Sequence, residues 1–147
     1  MHFTEFDTRL AAYGLLTTDD GQILLTWFNG DTRAEPCWTM PGGGVEFDES
    51  IRDAVVREVL EETGYTVDVG HIVAEHHFTV PRTAVRRPFR SQCFLLAATI
   101  TGGELGTTEV DGTTDFAKWV PIGEVVALQP RADIVDVAID ALSALPP

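Results

Sequence analysis

Residues 42–65 read GGGVEFDESIRDAVVREVLEETGY, and the second half of that stretch carries the clearest helical pattern in the chain. Asp48 can serve as its N-cap, Glu49 and Asp53 suit the positive end of the helix dipole, and Gly64 supplies a stop. A helix over residues 49–63 is expected. At ~100° per residue, with Glu58 set at zero, Glu61 falls at about −60° and Glu62 at about +40°. Three carboxylates therefore share one stripe about 100° wide. Val55, Val56, Val59 and Leu60 take the next ~140° and form the expected buried flank. The acids border the core instead of pointing away from it.

Two local rules are broken by this arrangement. Like charges three and four residues apart repel by a few tenths of a kcal/mol. The trio also sits in the last turns, where the dipole disfavours each carboxylate by ~0.3–1 kcal/mol. Arg57 has Asp53 four residues before it and Glu61 four after. It can buttress the helix but cannot neutralise all three acids. An acidic face with ordinary solvation is the competing reading, yet broken local rules are expected at functional sites. A divalent cation would relieve both penalties. Hard oxygen ligands with no histidine or cysteine point to Mg2+, with Mn2+ as a substitute. Gly42, Gly43 and Gly44 let the backbone approach a ligand or metal, and a glycine turn before a helix start suits phosphate. No GK[ST] follows them, so this is not a P-loop.

The run from Gly43 through Glu49 to Arg57-Glu58-Val59-Leu60-Glu61-Glu62-Thr63-Gly64-Tyr65 resembles the Nudix box, G-x5-E-x7-R-E-U-x-E-E-x-G-U, where U is bulky and aliphatic. Every fixed position matches. Tyr65 in the last U slot is the one departure. The resemblance implies an α+β fold, an α/β/α sandwich with a mixed sheet between helices, and Mg2+-dependent hydrolysis of a nucleoside diphosphate linked to another moiety. It implies that Glu58, Glu61 and Glu62 hold metal or orient water, with the Gly42 carbonyl as a further ligand. Glu49 and Arg57 are similar to the family's structural ion-pairing residues. Pro81, 16 residues beyond the box, is similar to the ADP-ribose pyrophosphatase subgroup. On that ground ADP-ribose or another sugar nucleotide is slightly preferred as substrate. Nucleoside triphosphate cleanup is the alternative, and a non-catalytic nucleotide sensor is an alternative of another class.

On the N-terminal side of the glycines, Arg9–Leu16 is apolar, Thr17–Gly21 (TTDDG) favours a tight hairpin turn, and Gln22–Trp27 reads as the returning strand. Residues 28–36 form a polar loop. A short strand at Trp38–Met40 runs into Pro41–Gly44, where no regular element is expected. Beyond the helix, His71–Val80 and Phe89–Ile100 read as strands, Thr101–Thr114 as a long loop and Ala117–Val120 as a short strand. A last helix over Asp133–Leu145 puts Asp133, Asp136 and Asp140 on one face and Ile134, Ala138, Leu142 and Leu145 on the other. Strands outnumber helices without regular alternation, which also suggests α+β or a sandwich with a mixed sheet. The whole chain, 1–147, reads as one domain.

With 10 Lys plus Arg against 23 Asp plus Glu, the net charge is −13. Such a chain repels polyphosphate backbones, so a nucleic-acid polymer is not the expected partner, while the small nucleotide substrate is what the resemblance implies. No apolar run approaches the ~20 residues of a membrane span. The acidic N-terminus does not resemble a signal peptide, so a cytoplasmic location is expected. Cys37 and Cys93 lack CxxC spacing and read as free thiols. Four of the ten basic residues, Arg82, Arg86, Arg87 and Arg90, fall within nine positions. Arg86 and Arg87 are candidate phosphate ligands, with a solvated loop or a homodimer contact as competing roles. Trp38 is a candidate for stacking a base, against core packing. His76 and His77 point to opposite faces of a strand and cannot readily chelate together. The resemblance also implies one further carboxylate from a loop, for which Glu109 and Asp115 are rival candidates.

Overall fold

The computed structural model describes residues 1–144. In chain order it places β1 at Asp7–Leu15, β2 at Gln22–Phe28, β3 at Cys37–Thr39, β4 at Gly42–Gly44, α1 at Ile51–Thr63, β5 at Tyr65–Val80, β6 at Phe89–Gly103, β7 at Thr114–Pro121 and α2 at Asp133–Ser143. Short 3-10 turns occupy Phe3–Glu5 and Ile122–Ala127. One sheet has the order β4-β1-β6-β5 and the other β3-β2-β7. β1 runs parallel to β6, and the remaining pairs are antiparallel. The result is a mixed α+β architecture. No helix among the described residues is long and apolar enough to cross a membrane.

Each face of this β layer carries one helix and one core. Ala12, Leu24, Ala54, Val55, Val59 and Leu96 pack together under α1. Ala11, Ile23, Leu25, Leu95, Ile134, Val135 and Ala138 pack together under α2. Successive residues of β1 serve opposite cores, because side chains alternate across a strand. Gly14 shows how tightly α1 sits, since a Cβ there would lie 3.2 Å from Val55.

The turn at Thr17–Gly21 forms, with Gly21 in the left-handed region at φ +84°. Its flanking strands then part company. After the Leu24 N–H donates to Leu16 at 3.0 Å, β2 joins β3 and β7 instead of β1. The reason is topological: β4 and β6 already occupy both edges of β1. The glycine run, expected to lie outside regular structure, is the edge strand β4. Main-chain pairing needs no side chains, and the register Ala11↔Gly44, Ala12↔Gly43, Tyr13↔Gly42 is continuous.

Helix α1 begins at Ile51, two residues later than expected, and its N-cap is Ser50 instead of Asp48. The Ser50 hydroxyl accepts the Asp53 N–H at 3.0 Å. Strands β5 and β6 extend beyond their expected ends to Tyr65 and Gly103, and β7 begins at Thr114. The long β5–β6 pairing absorbs irregular register between Thr66 and Ala74. In α2, Ile134 and Ala138 are buried as the pattern predicts, Val135 is buried beside them, and Leu142 is half-buried. Leu145 lies outside the described residues.

Candidate active site

The buried side of α1 is rotated toward the acids. Its buried residues are Ala54, Val55, Val59, Glu62 and Thr63, while Val56 and Leu60 are 39% and 41% exposed. On the helical wheel the buried stripe therefore runs from about −40° to about +140°, with Glu58 and Glu62 inside it. A carboxylate enters the packed face because the neighbouring strand has no side chains. A Cβ on Gly43 would lie 2.9 Å from Glu58 Oε1. Gly42, at φ +146°, can only be glycine, since a Cβ would collide with the Ala12 carbonyl and the Tyr13 ring.

Glu62 is 5% exposed and accepts the Gly42 N–H at 3.1 Å. Burial, and then the adjacent Glu58 carboxylate, push its pKa well above the ordinary range, while the Gly42 N–H opposes the rise. Two carboxylates crowd one half-dry site, where Arg57 pairs with Glu58 at 3.1 Å and Glu62 has no ion-pair partner among the described residues. That donor set fits a hard divalent cation. Among the described residues, no three His, Cys, Asp or Glu side chains converge as a cage. Backbone carbonyl, water or substrate oxygens would have to complete such a coordination sphere.

Arg57 braces the site from the side. Its Nε and Nη2 each donate to the Glu49 carboxylate at 2.8 Å. Nη2 also donates to the Gly44 carbonyl at 3.3 Å, and Nη1 to Glu58 at 3.1 Å and Glu61 at 3.4 Å. The Arg57 hydrogen bonds hold Glu49 at a pKa of about 2. One guanidinium thus ties the loop before α1, the end of β4 and two box acids into a single unit. Glu61 is set apart from Glu58 and Glu62: it is 40% exposed and turns toward Arg57.

The loop between β6 and β7 caps the C-terminus of α1. The N–H groups of Gly106, Thr108 and Glu109 donate to carbonyls of Thr63 and Glu61 at 2.8–3.1 Å. The Thr107 and Thr108 hydroxyls donate to the Glu62 and Leu60 carbonyls, each at 3.1 Å. These donors cover the negative end of the dipole, so part of the penalty expected for acids there is removed. The same loop delivers Glu109 to the cluster. Burial, and then the Glu61 and Glu58 charges, raise its pKa. Asp115 instead accepts from Asn29 Nδ2 at 2.9 Å. Asn29, Glu109, Asp111 and Asp115 line an open polar cavity of about 580 Å³ beside the box helix.

Other candidates are placed elsewhere. Arg86 and Arg87 lie past the end of β5, beyond the row where Asp7 faces Phe89. That is five residues, or ~17 Å of strand, from the Ala12 row that meets Gly43. Arg87 pairs with Asp7 at 3.2 Å and donates to the Thr4 carbonyl at 2.5 Å, so it fastens the N-terminal segment. The structure therefore does not bring this pair to the carboxylates. Trp38 packs edge-on against Trp27 and Phe116, with centroids 5.3 and 5.6 Å away, and its carbonyl accepts the Ala132 N–H at the start of α2. Sequence reasoning missed Arg9 and Tyr13. Tyr13 meets Gly42 from the other face of the glycine strand, and Arg9 lies on that same face of β1, a placement that only the β1–β4 register reveals.

A carboxylate helix laid against a bare glycine strand and braced by an arginine defines a class of phosphoanhydride hydrolase. The NUDIX domain model matches residues 7–141, and the chain belongs to that family, whose hydrolases act on diphosphate bonds. It is 33% identical over 115 residues to the Bacillus subtilis (strain 168) protein named "Putative 8-oxo-dGTP diphosphatase", covering 78% of this chain and 67% of that one. It is 46% identical over 57 residues to the CTP pyrophosphohydrolase of Escherichia coli (strain K12), covering 39% of this chain and 42% of that one, less than half of either. A NUDIX hydrolase structure from Nitrosomonas europaea superposes with a TM-score of 0.72 at 24% identity, over 94% of this chain and 90% of that one.

Proposed function

We propose that this chain is a Mg2+-dependent pyrophosphohydrolase of nucleoside triphosphates that releases a nucleoside monophosphate and pyrophosphate. The observation that carries the hydrolytic reading is the packing of Glu58 and Glu62 against the side-chain-free backbone of Gly42 and Gly43. Glu58, Glu62 and the Gly42 carbonyl would hold the cation, with Glu61 and Glu109 at its margin. When bound, the cation screens the diphosphate charge and acidifies water. Glu49 and Arg57 hold the carboxylates and the β4 backbone in register. Glu109, whose pKa is raised by burial and then by the Glu61 and Glu58 charges, is the loop carboxylate we assign to proton exchange with water.

The triphosphate preference is supported by two of the curated relatives, whose names describe nucleoside triphosphate substrates. A preference for ADP-ribose would rest on Pro81. That residue follows the last residue of β5, at the hairpin end remote from the carboxylates, where a proline serves to stop a strand. Turnover of 8-oxo-dGTP, canonical NTPs and ADP-ribose under Mg2+ tests the reading. Pyrophosphate release from a triphosphate, at kcat/KM at least about tenfold above that for ADP-ribose, is the expected result. The reverse order would overturn it.

A further inference from the structure

The glycine strand has two faces, and the carboxylates use only one. Gly43 shares its face with Ala12 and lies under Glu58. Gly42 and Gly44 share the opposite face with Tyr13 and Ala11, and Arg9 lies on that same face because alternate residues of β1 do. A Cβ added at Gly44 meets nothing within 4 Å, so this face has an open notch beside the edge strand. Arg9 and Tyr13 are four residues apart, ~13 Å along the strand, and their side chains meet across the small Ala11. The guanidinium lies beside the Tyr13 phenol and within the field of Glu58.

Arg9 is half-buried. Among the described residues no carboxylate lies within ion-pairing distance of it. Arg57, Arg87 and Arg131 each have an acid partner. A half-buried guanidinium presents five donors in a rigid fork and costs free energy until an anion takes them. Phosphate oxygens match that fork in pairs.

We propose that Arg9, reaching over the Gly44 notch, binds the diphosphate oxygens that the carboxylate-held cation leaves free. The diphosphate would then lie across the edge of β4, with cation on one face and guanidinium on the other. Tyr13 positions the guanidinium. Arg9 is thus a substrate-binding residue. The proposal rests on the reading of the chain as a diphosphate hydrolase, and it assigns no nucleoside contact to Arg9.

Calorimetric titration in Mg2+ with two probes tests it: methylenediphosphonate, which has no nucleoside, and α,β-methylene-ADP. Arg9→Ala is expected to weaken both by about tenfold or more, equivalent to ~1.4 kcal/mol. Arg9→Lys should recover part of the loss, and Gly44→Val, which fills the notch, should weaken both probes. If Arg9→Ala does not fold, Arg9→Gln keeps the stem and replaces it. Loss confined to α,β-methylene-ADP would overturn the proposal, since Arg9 would then contact the nucleoside. Unchanged binding in Arg9→Ala or Gly44→Val, or a wild type that binds neither probe, would also overturn it. Turnover separates this from the substrate assignment: Arg9-dependent binding in an enzyme that prefers ADP-ribose would overturn the triphosphate reading alone.

Discussion

Glu62 is a carboxylate that the fold holds against its own stability. Its folded-state pKa lies above the unfolded value, so the native state binds this proton more tightly than the unfolded chain does. Stability therefore falls as pH rises from the unfolded value through the folded one. Glu62→Gln removes the buried charge and keeps the shape. We expect it to raise the metal-free Tm at pH 8 and to lower kcat by about 10²-fold or more, a loss typical of removing a charge-stabilising group. Near-full activity under Mg2+ would refute the assignment of Glu62 to the cation. Glu49 has the opposite sign. Its Arg57 hydrogen bonds depress its pKa from 4.5 to about 2. Its contribution is thus complete above the unfolded value of 4.5 and is lost as pH falls toward 2. Thermal melts of wild type and Glu49→Gln should differ at pH 6 and converge by pH 2–3. Parallel Tm curves across that window would show that the ion pair does not act on stability.

At the scale of elements, the helix, the strands and the box spacing were legible because hydrophobic period and glycine punctuation survive in one dimension. The rotation of α1 was not. Val56 and Leu60 look like core, and Glu62 looks like surface, unless one knows that the facing strand is bare glycine. The same glycines concealed β4, since side-chain patterns say nothing about main-chain pairing at an edge. The position of Arg86 and Arg87 relative to the carboxylates was not legible, because a cluster in sequence does not say which end of a 16-residue strand it follows. In the structure Arg87 joins the hairpin end to the N-terminal segment through Asp7 and Thr4. Arg87→Ala should consequently lower Tm by a few degrees, as expected for loss of ~1 kcal/mol in a chain of this size. It should leave KM within about twofold, because no uniform binding is removed. A clear rise in KM with unchanged Tm would return the residue to the substrate path.

For the whole molecule, a net charge of −13 makes the compact state repel itself. The repulsion is strongest around the box helix, where Glu58 and Glu62 crowd together beside β4 and Glu61 and Glu109 feel each other's charge. Two different effects of Mg2+ follow from this. Added ions of any kind screen the diffuse charge. A cation held at the carboxylates binds the native state only, and at 100 times its Kd it adds ~2.7 kcal/mol of stability. For about 150 residues that corresponds to a rise of roughly 5–10 °C in Tm, using 2–4 °C per kcal/mol. Melts in MgCl2, and in NaCl matched for ionic strength, separate the two. Wild type should gain most of the rise in MgCl2, lose it on chelation with EDTA, and show only a small shift in NaCl. Glu58→Gln combined with Glu62→Gln should respond equally to both salts. If the double variant kept the Mg2+-specific rise, the cation would be bound elsewhere in the chain, and the two-faced reading of the glycine strand would lose its metal side.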